Sequence, residues 1–259
     1  MGSLSSQQRF SNRVADYVRY RPGYPPALME WIHGELEVPS TATVADIGAG
    51  TGISTRMFLE AGHEVFAVEP NAAMRGAAEA WLAGYPRFHA VDASAEATTL
   101  GDASIDLVSA AQAFHWFDPE AVRREWARIL VPGGLAVVYW NSRLLDASPF
   151  LRGYEQLLLE YGTDYSAVAE RYADDETMQR WFGAGLVASV QLPNVQRVDF
   201  DALRGRLLSS SYAPLEGDPR HAPMLAALRE LFDRHQQDGH VDIDYRTRAF
   251  AGTLDRATR

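Results

Sequence analysis

Between residues 43 and 140, short apolar runs alternate with stretches of helical spacing, which is the pattern of a parallel sheet flanked by helices. Strands are predicted at Thr43–Ile47, Val65–Val68, Phe88–Val91, Ile105–Ala110 and Leu135–Trp140, with helices in the gaps. The clearest helix follows the fourth strand. Asp118 can cap it, Pro119 suits its first turn, and Val122, Trp126, Ile129 and Leu130 fall on one face. It is expected to stop at Pro132-Gly133-Gly134, a turn that delivers the chain into the run Ala136-Val137-Val138-Tyr139-Trp140.

After Trp140 the alternation ceases. Residues 141–185 are rich in Tyr, Leu and charge, with Leu151, Tyr154, Leu158 and Tyr161 at helical spacing, and read as a helical insertion. A strand pair near 186–200, a helix through Leu207 and an amphipathic helix carrying Leu225, Leu228, Leu231 and Phe232 come next. The last element, Val241 to Thr247, alternates with period two and is expected to be a half-exposed edge strand. The organisation predicted is one α/β domain over residues 1–259. Its core is about 40–140 plus the C-terminal strands near 186–200 and 241–250, and segments 9–35 and 141–185 form a cap.

Composition narrows the chemistry. The 259 residues contain no cysteine, which removes disulfides, thiolate nucleophiles and Cys-ligated zinc together. All 24 basic residues are arginine, so neither a Schiff-base lysine nor a P-loop lysine is available. A net charge of -10 argues against a broad nucleic-acid surface. No apolar stretch approaches the roughly 20 residues needed to span a bilayer, and MGSLSSQQRF has no apolar segment of the secretory kind. The expectation is a soluble cytoplasmic protein with no nucleic acid, membrane or metal involved.

The first strand ends in Asp46-Ile47-Gly48-Ala49-Gly50-Thr51-Gly52-Ile53, with helical residues immediately after. Glycines there let the backbone turn sharply and a ligand approach closely, and the following helix offers unpaired N–H groups. A dinucleotide fold wants GxGxxG. Here position 53 is isoleucine and the spacing is GxGxG, which disfavours an NAD-dependent dehydrogenase. The second strand then ends at Glu69, seventeen residues beyond Gly52 and held extended by Pro70, where a carboxylate can accept both hydroxyls of a ribose.

Asp46 to Gly52 (DIGAGTG), Glu69 in VFAVEP, Val91 to Glu96 (VDASAE), Ile105 to Val108 with the following AQAFHWFD, and Leu130 to Gly134 (LVPGG) resemble the successive motifs of class I S-adenosylmethionine-dependent methyltransferases. The likeness covers about residues 40–140, with five motifs in order. Tyr20 to Pro25 (YRPGYP) and Ser209 to Tyr212 (SSSY) also resemble a small-molecule subgroup that includes trans-aconitate methyltransferase-like proteins. The resemblance implies a doubly wound Rossmann-like sheet, mostly parallel with an antiparallel C-terminal edge strand, plus a helical insertion. It also implies methyl transfer from S-adenosyl-L-methionine to a small molecule by in-line displacement. A cofactor with a sulfonium and no pyrophosphate needs neither the third glycine nor a lysine, and both are missing.

By that resemblance Gly48, Ala49, Gly50 and Gly52 form the cofactor loop, Asp46 organises it, Glu69 holds the ribose, Asp92 accepts from the adenine amino group and Ala93 supplies a backbone donor. Met74 has two readings, an adenine-face contact or a core methionine. AQAFHWFDP follows the fourth strand, where open α/β sheets bind ligands, and Trp140 and Asn141 are expected at the same crevice. His115 is therefore the candidate general base, with aromatic packing as its other reading. Tyr20, Arg21, Trp116, Trp140 and Tyr212 are the candidate acceptor contacts; Tyr17, Tyr20 and Tyr24 are available to cover the crevice, and Arg21, Arg143 and Tyr212 could receive an acidic substrate or the cofactor carboxylate, with a structural or solvated role as the other reading of each. A cofactor-binding regulator or scaffold is the non-enzymatic alternative.

Overall fold

The computed structural model describes residues 20–165 and 175–254. In chain order the elements are α1 (Pro26–Gly34), β1 (Thr43–Ile47), α2 (Ile53–Glu60), β2 (Glu64–Val68), α3 (Ala72–Leu82), β3 (Phe88–Val91), β4 (Ile105–Ala111), α4 (Pro119–Ile129) and β5 (Leu130–Arg143). Then follow α5 (Pro149–Tyr161), α6 (Asp175–Phe182), β6 (Leu186–Val198), α7 (Phe200–Leu208), α8 (His221–His235) and β7 (Val241–Gly252). No helix among the described residues is long and apolar enough to cross a membrane.

The strands form one seven-stranded sheet in the order β3-β2-β1-β4-β5-β7-β6, with β1 parallel to β2 and β4, β2 to β3, and β4 to β5. β7 runs against β5. The Asn141 and Thr247 side chains meet, and the Leu144 N–H donates to the Asp244 carbonyl, so residue numbers rise on one strand as they fall on the other. The mostly parallel sheet with an antiparallel C-terminal edge is the one expected. The element beginning at Val241, expected as the edge strand, is not at the margin: β7 lies between β5 and β6, and β6 is outermost.

Period-two alternation divides the central strands between two cores. Val108, Ala110, Ala136, Val138 and Trp140 pack with Val122, Trp126 and Ile129 of α4 and with Met178 and Phe182 of α6. Val44, Val65, Leu107, Val137 and Tyr139 pack with Leu28, Trp31 and Ile32 of α1, Phe58 of α2 and Leu82 of α3. The sequence pattern did not single out α1, and α6 falls within the predicted helical insertion.

Three expectations need correction. Pro132-Gly133-Gly134 is not a turn between helix and strand. β5 begins at Leu130, paired to Ile105, and the next pair is Leu107 with Leu135, so residues 131–134 bulge out of a continuous strand. Gly133, at φ +82°, supplies the left-handed residue that bulge requires. Leu130 accordingly leaves the α4 face and opens the strand. Residues 186–200 hold one 13-residue strand rather than a pair. Pro193 reads as a break, yet at the margin of a sheet a missing N–H leaves no ladder partner unsatisfied.

The described residues divide into two compact units, 23–141 with 175–192 and 247–254, and 20–22 with 142–165 and 193–246. The first holds both cores just described. The second has its own core, in which Leu151, Tyr154 and Leu158 of α5 pack with Leu203 and Leu207 of α7, Leu228 and Phe232 of α8, and Ile243 and Tyr245 of β7. The spacings predicted for α5 and α8 are those observed. Residues 166–174 of the predicted insertion lie outside the described residues.

In the first unit His63 is fully buried, with Nδ1 3.0 Å from the Ala42 carbonyl and Nε2 2.9 Å from Nε2 of His33. A carbonyl only accepts, so Nδ1 carries the proton and Nε2 of neutral His63 accepts from His33. Burial, then the proximity of His33, push the His63 pKa below its ordinary value. The denatured chain therefore takes up this proton first on acidification. The contribution of His63 to stability is complete above about pH 6.5 and is lost as pH falls toward its native pKa. Chemical denaturation between pH 5 and 8 is expected to show this slope, and His63→Asn, which keeps a donor toward Ala42, is expected to flatten it. An unchanged slope in that variant refutes the assignment.

Candidate active site

At the C-terminal end of β1 the Asp46 carboxylate is fully buried and ringed by hydroxyls. Oδ2 accepts from Ser54 Oγ at 2.7 Å and Thr55 Oγ1 at 2.6 Å, and Oδ1 accepts from Ser109 Oγ at 3.1 Å. Ser109 Oγ also lies 3.0 Å from the Tyr139 hydroxyl. Burial pushes the Asp46 carboxyl above its ordinary pKa, and the three hydroxyls oppose that push. Asp46 thus fastens β1 to the first turn of α2 and to β4.

The loop between β1 and α2 turns through three left-handed glycines, Gly48 (φ +69°), Gly50 (φ +57°) and Gly52 (φ +91°). Two of them are needed for close approach. A Cβ on Gly48 would lie 2.7 Å from Ala113 Cβ and 3.0 Å from the Phe117 ring, and one on Gly52 would lie 2.7 Å from Leu82 Cδ1. At Gly50, by contrast, a Cβ meets nothing within 4 Å. The loop is pressed between the segment after β4 and α3, and is open at Gly50.

Glu69, half-buried just past β2, closes the opposite side. Its Oε2 accepts from the Gly50 N–H at 2.9 Å and its Oε1 from the Asn71 N–H at 2.8 Å, which leaves further acceptor capacity on both oxygens. Burial pushes the Glu69 carboxyl upward, while the two N–H groups and the Arg75 charge hold it down. Arg75 was not anticipated. It donates from Nη1 to the Glu69 carbonyl at 2.7 Å and from Nη2 to Asp92 Oδ2 at 2.8 Å, joining the two candidate ligand acids. The available signal was the cap: Asn71 accepts from the N–H groups of Ala73 and Met74, so position 75 lies one turn into α3, and side chains of a helix lean back toward its start. Met74, Ala49 and Ala93 are all buried, and Ala93 belongs to the α4 core.

After β4 the chain enters a short 3-10 turn, Phe114–Trp116, preceded by Gln112 at φ +58°. Phe114 is an anchor, in edge contact with Phe117, Trp126, Trp140 and Trp181. His115 and Trp116 are half-buried neighbours, with ring centroids 4.7 Å apart. The Asp118 N–H, at the start of α4, donates to Glu96 Oε1 at 3.2 Å, tying this loop to the one after β3. Trp140, expected to line an acceptor pocket, is instead fully buried between Phe114 and Phe250 in the α4 core. Asn141 is a junction: its amide donates to the Gly23 carbonyl at 3.0 Å, its Oδ1 accepts from Thr247 at 2.6 Å, and its carbonyl accepts from Gln112 at 3.2 Å.

Asp46, the glycine loop, Glu69, Met74, Asp92, Ala93, His115 and Trp116 are therefore all found in the first unit. Tyr20, Arg21 and Tyr212 belong to the second. There Arg21 donates to Ser209 Oγ at 3.1 Å and to its carbonyl at 3.2 Å, Tyr20 covers Gly205, and Tyr212 makes an edge contact with Tyr165. Tyr17 lies outside the described residues.

A polar adenosyl group fits what the loops leave open. The Oγ1 of Thr51 and the Oε1 of Gln112 are buried without a partner among the described residues, and the space beside Gly50 is empty of protein. Among the described residues no cluster of three His, Asp or Glu side chains is placed to hold a metal.

Comparison with known proteins gives a consistent result. Residues 45–138 match the methyltransferase domain family. Over 250 residues the chain is 28% identical to an uncharacterized methyltransferase of Schizosaccharomyces pombe, covering 93% of this chain and 95% of that one. A solved structure from Anaeromyxobacter dehalogenans, designated a candidate type II methyltransferase, superposes with a TM-score of 0.70 at 25% identity over 91% of this chain and 98% of that one. A phosphoethanolamine N-methyltransferase of Haemonchus contortus, solved with S-adenosylhomocysteine, shares the fold with a TM-score of 0.58 at 13% identity, covering 97% of this chain and 60% of that one. The fold is the Rossmann-like fold of methyltransferases, and the likenesses support a methyltransferase.

The two loop glycines are expected to respond differently to a methyl group. Gly48→Ala combines a left-handed alanine, about 1–2 kcal/mol, with overpacking against Ala113 and Phe117, about 1–3 kcal/mol. Gly50→Ala incurs only the first. Denaturant unfolding of the two variants reads the difference, and equal losses would mean that the loop is not pressed against the segment after β4.

Proposed function

We propose that the protein is a methyltransferase that uses S-adenosyl-L-methionine and acts on a small-molecule acceptor. The observation that carries this reading is the Glu69 carboxylate, fixed by the Gly50 and Asn71 N–H groups with acceptor capacity remaining on both oxygens, beside a loop open at Gly50. Two oxygens held apart and oriented suit the paired hydroxyls of a ribose.

In this reading Gly48, Ala49, Gly50 and Gly52 cradle the methionine portion, and Asp46 acts indirectly by fixing the loop. Glu69 receives the ribose hydroxyls. Asp92 keeps Oδ1 for the adenine amino group while Arg75 holds Oδ2, Ala93 donates from its backbone, and Met74 packs against the ring. When bound, the cofactor supplies a methyl group activated by a positively charged sulfur. The chain's own task is then to align the acceptor and exclude water.

Phe114 and Trp116 serve the exclusion of water. His115 serves as the group that takes a proton from the acceptor onto its unprotonated ring nitrogen, when the accepting atom must lose one. Tyr20, Arg21 and Tyr212 are assigned to acceptor recognition.

Calorimetric titration with S-adenosylhomocysteine and with NAD tests the reading: binding of the first is expected, and binding of NAD alone overturns it. Glu69→Ala is expected to weaken S-adenosylhomocysteine by roughly 2–3 kcal/mol, since it removes a charged acceptor shared by two hydroxyls. Unchanged affinity in the folded variant would put the ribose elsewhere. His115→Ala is expected to keep that affinity within about threefold and to lower turnover by on the order of 10²-fold if the imidazole is the base. Normal turnover per bound cofactor would make His115 a packing residue.

A further inference from the structure

Arg75 spans the ends of two neighbouring strands. β2 and β3 pair in parallel with Val68 level with Val91, and the Glu69 N–H donates to the Val91 carbonyl at 3.0 Å, so Glu69 and Asp92 leave the sheet side by side. Arg75, one turn into α3, donates to both segments: Nη1 to the Glu69 carbonyl at 2.7 Å and Nη2 to Asp92 Oδ2 at 2.8 Å. Its side chain is 16% exposed, whereas that of Asp92 is 70% exposed. The cation is the fixed member of the pair, and the acid faces solvent.

An ion pair with one partner this exposed contributes little to stability. Its consequence is geometric. A solvated aspartate samples several rotamers, but one held at Oδ2 by a guanidinium that is itself tied to a backbone carbonyl is restricted before any ligand arrives. The remaining oxygen, Oδ1, can only accept. A lysine at this position would be a point charge on a flexible stem and could not span both acceptors with one planar fork.

We infer that Arg75 is a positioning residue that makes the cofactor site selective for adenine, by holding Asp92 so that Oδ1 requires a donor at the 6-position of the purine. The inference rests on the methyltransferase reading and on the assignment of Asp92 to the adenine amino group. Adenine carries an amino group there and donates. Hypoxanthine carries a carbonyl, and two acceptors facing each other leave both unpaired. A mobile Asp92 would swing to the neighbouring ring N–H of hypoxanthine and lose the discrimination, whereas a held one keeps it.

The test is calorimetric titration of the full chain with S-adenosylhomocysteine and with S-inosylhomocysteine, in which a carbonyl replaces the adenine amino group. The parent is expected to bind the first about tenfold more tightly, or better. Arg75→Gln is expected to reduce that ratio to roughly threefold or less, since the carboxylate is then free to turn. Arg75→Lys, which keeps the charge but not the fork, is expected to fall between, and supplies the reading if Arg75→Gln does not fold. A merely structural role would weaken both ligands alike and leave the ratio unmoved. In an Asp92→Asn background, where the side chain also offers donors, the Arg75 substitutions are expected to leave the ratio within about twofold of that of Asp92→Asn alone. The inference is overturned if the parent binds both ligands alike, if the ratio survives the Arg75 substitutions, or if they change it equally with and without the aspartate. In each of those cases S-adenosylhomocysteine still binds and the methyltransferase reading stands. Absence of S-adenosylhomocysteine binding to the parent would instead overturn that reading, and the inference with it.

Discussion

The buried carboxylate of Asp46 is the constraint on which the first unit is organised. A charge removed from water must find donors, and Asp46 finds them in Ser54, Thr55 and Ser109. Those three residues lie on α2 and β4, and Ser109 leads on to Tyr139 of β5. One side chain therefore sets the angle at which α2 leaves the sheet and the register at which β4 lies beside β1. The glycine loop, caught between these elements, has little choice of path. Tyr139 shares the same buried network, and burial followed by the Asp46 charge pushes its phenol well above the ordinary tyrosine pKa, so it stays a neutral hydrogen-bonding group.

Much of this was legible in the chain because apolar periodicity and turn chemistry are local. The central strands announce themselves as short apolar runs, and Asp118, Pro119 and the spacing of Val122 and Trp126 specify where α4 begins and which face it buries. The bulge at 131–134 and the unbroken β6 were misread for one reason. Gly and Pro punctuate a chain only where the backbone needs every N–H, and a bulge or a sheet margin does not. Of the site, the glycines and Glu69 follow from spacing, and Asp46 from the family resemblance. Arg75 does not, since its two contacts depend on how α3 packs. Trp140 was misplaced because its position at a strand end suggested a crevice, whereas its parity with Ala136 and Val138 commits it to the α4 core. The burial of Arg143 and Arg206 among phenols is likewise invisible in sequence, since it depends on tertiary packing.

The two units use buried charge in contrasting ways. In the first, a carboxylate is surrounded by neutral donors and every described contact is satisfied internally. In the second, among the described residues, the buried guanidinium groups of Arg143 and Arg206 have the single carboxylate of Glu155 between them and lean on phenol hydroxyls. The first arrangement fixes geometry.

The margins of the sheet carry a consequence for self-association. An exposed strand edge is a template for another strand, and long regular edges invite sheets to join side by side. Here one margin is β3, only four residues long, and the other is β6, which is long but carries Pro193 within it and Arg197 among its exposed positions. A proline cannot donate to an added strand, and a guanidinium must be desolvated by one. Neither margin offers an uninterrupted ladder to a second copy, so growth of the sheet into a continuous intermolecular β-structure is disfavoured at both ends. Any pairing of copies is left to the helical faces, where contact can be made without extending the sheet.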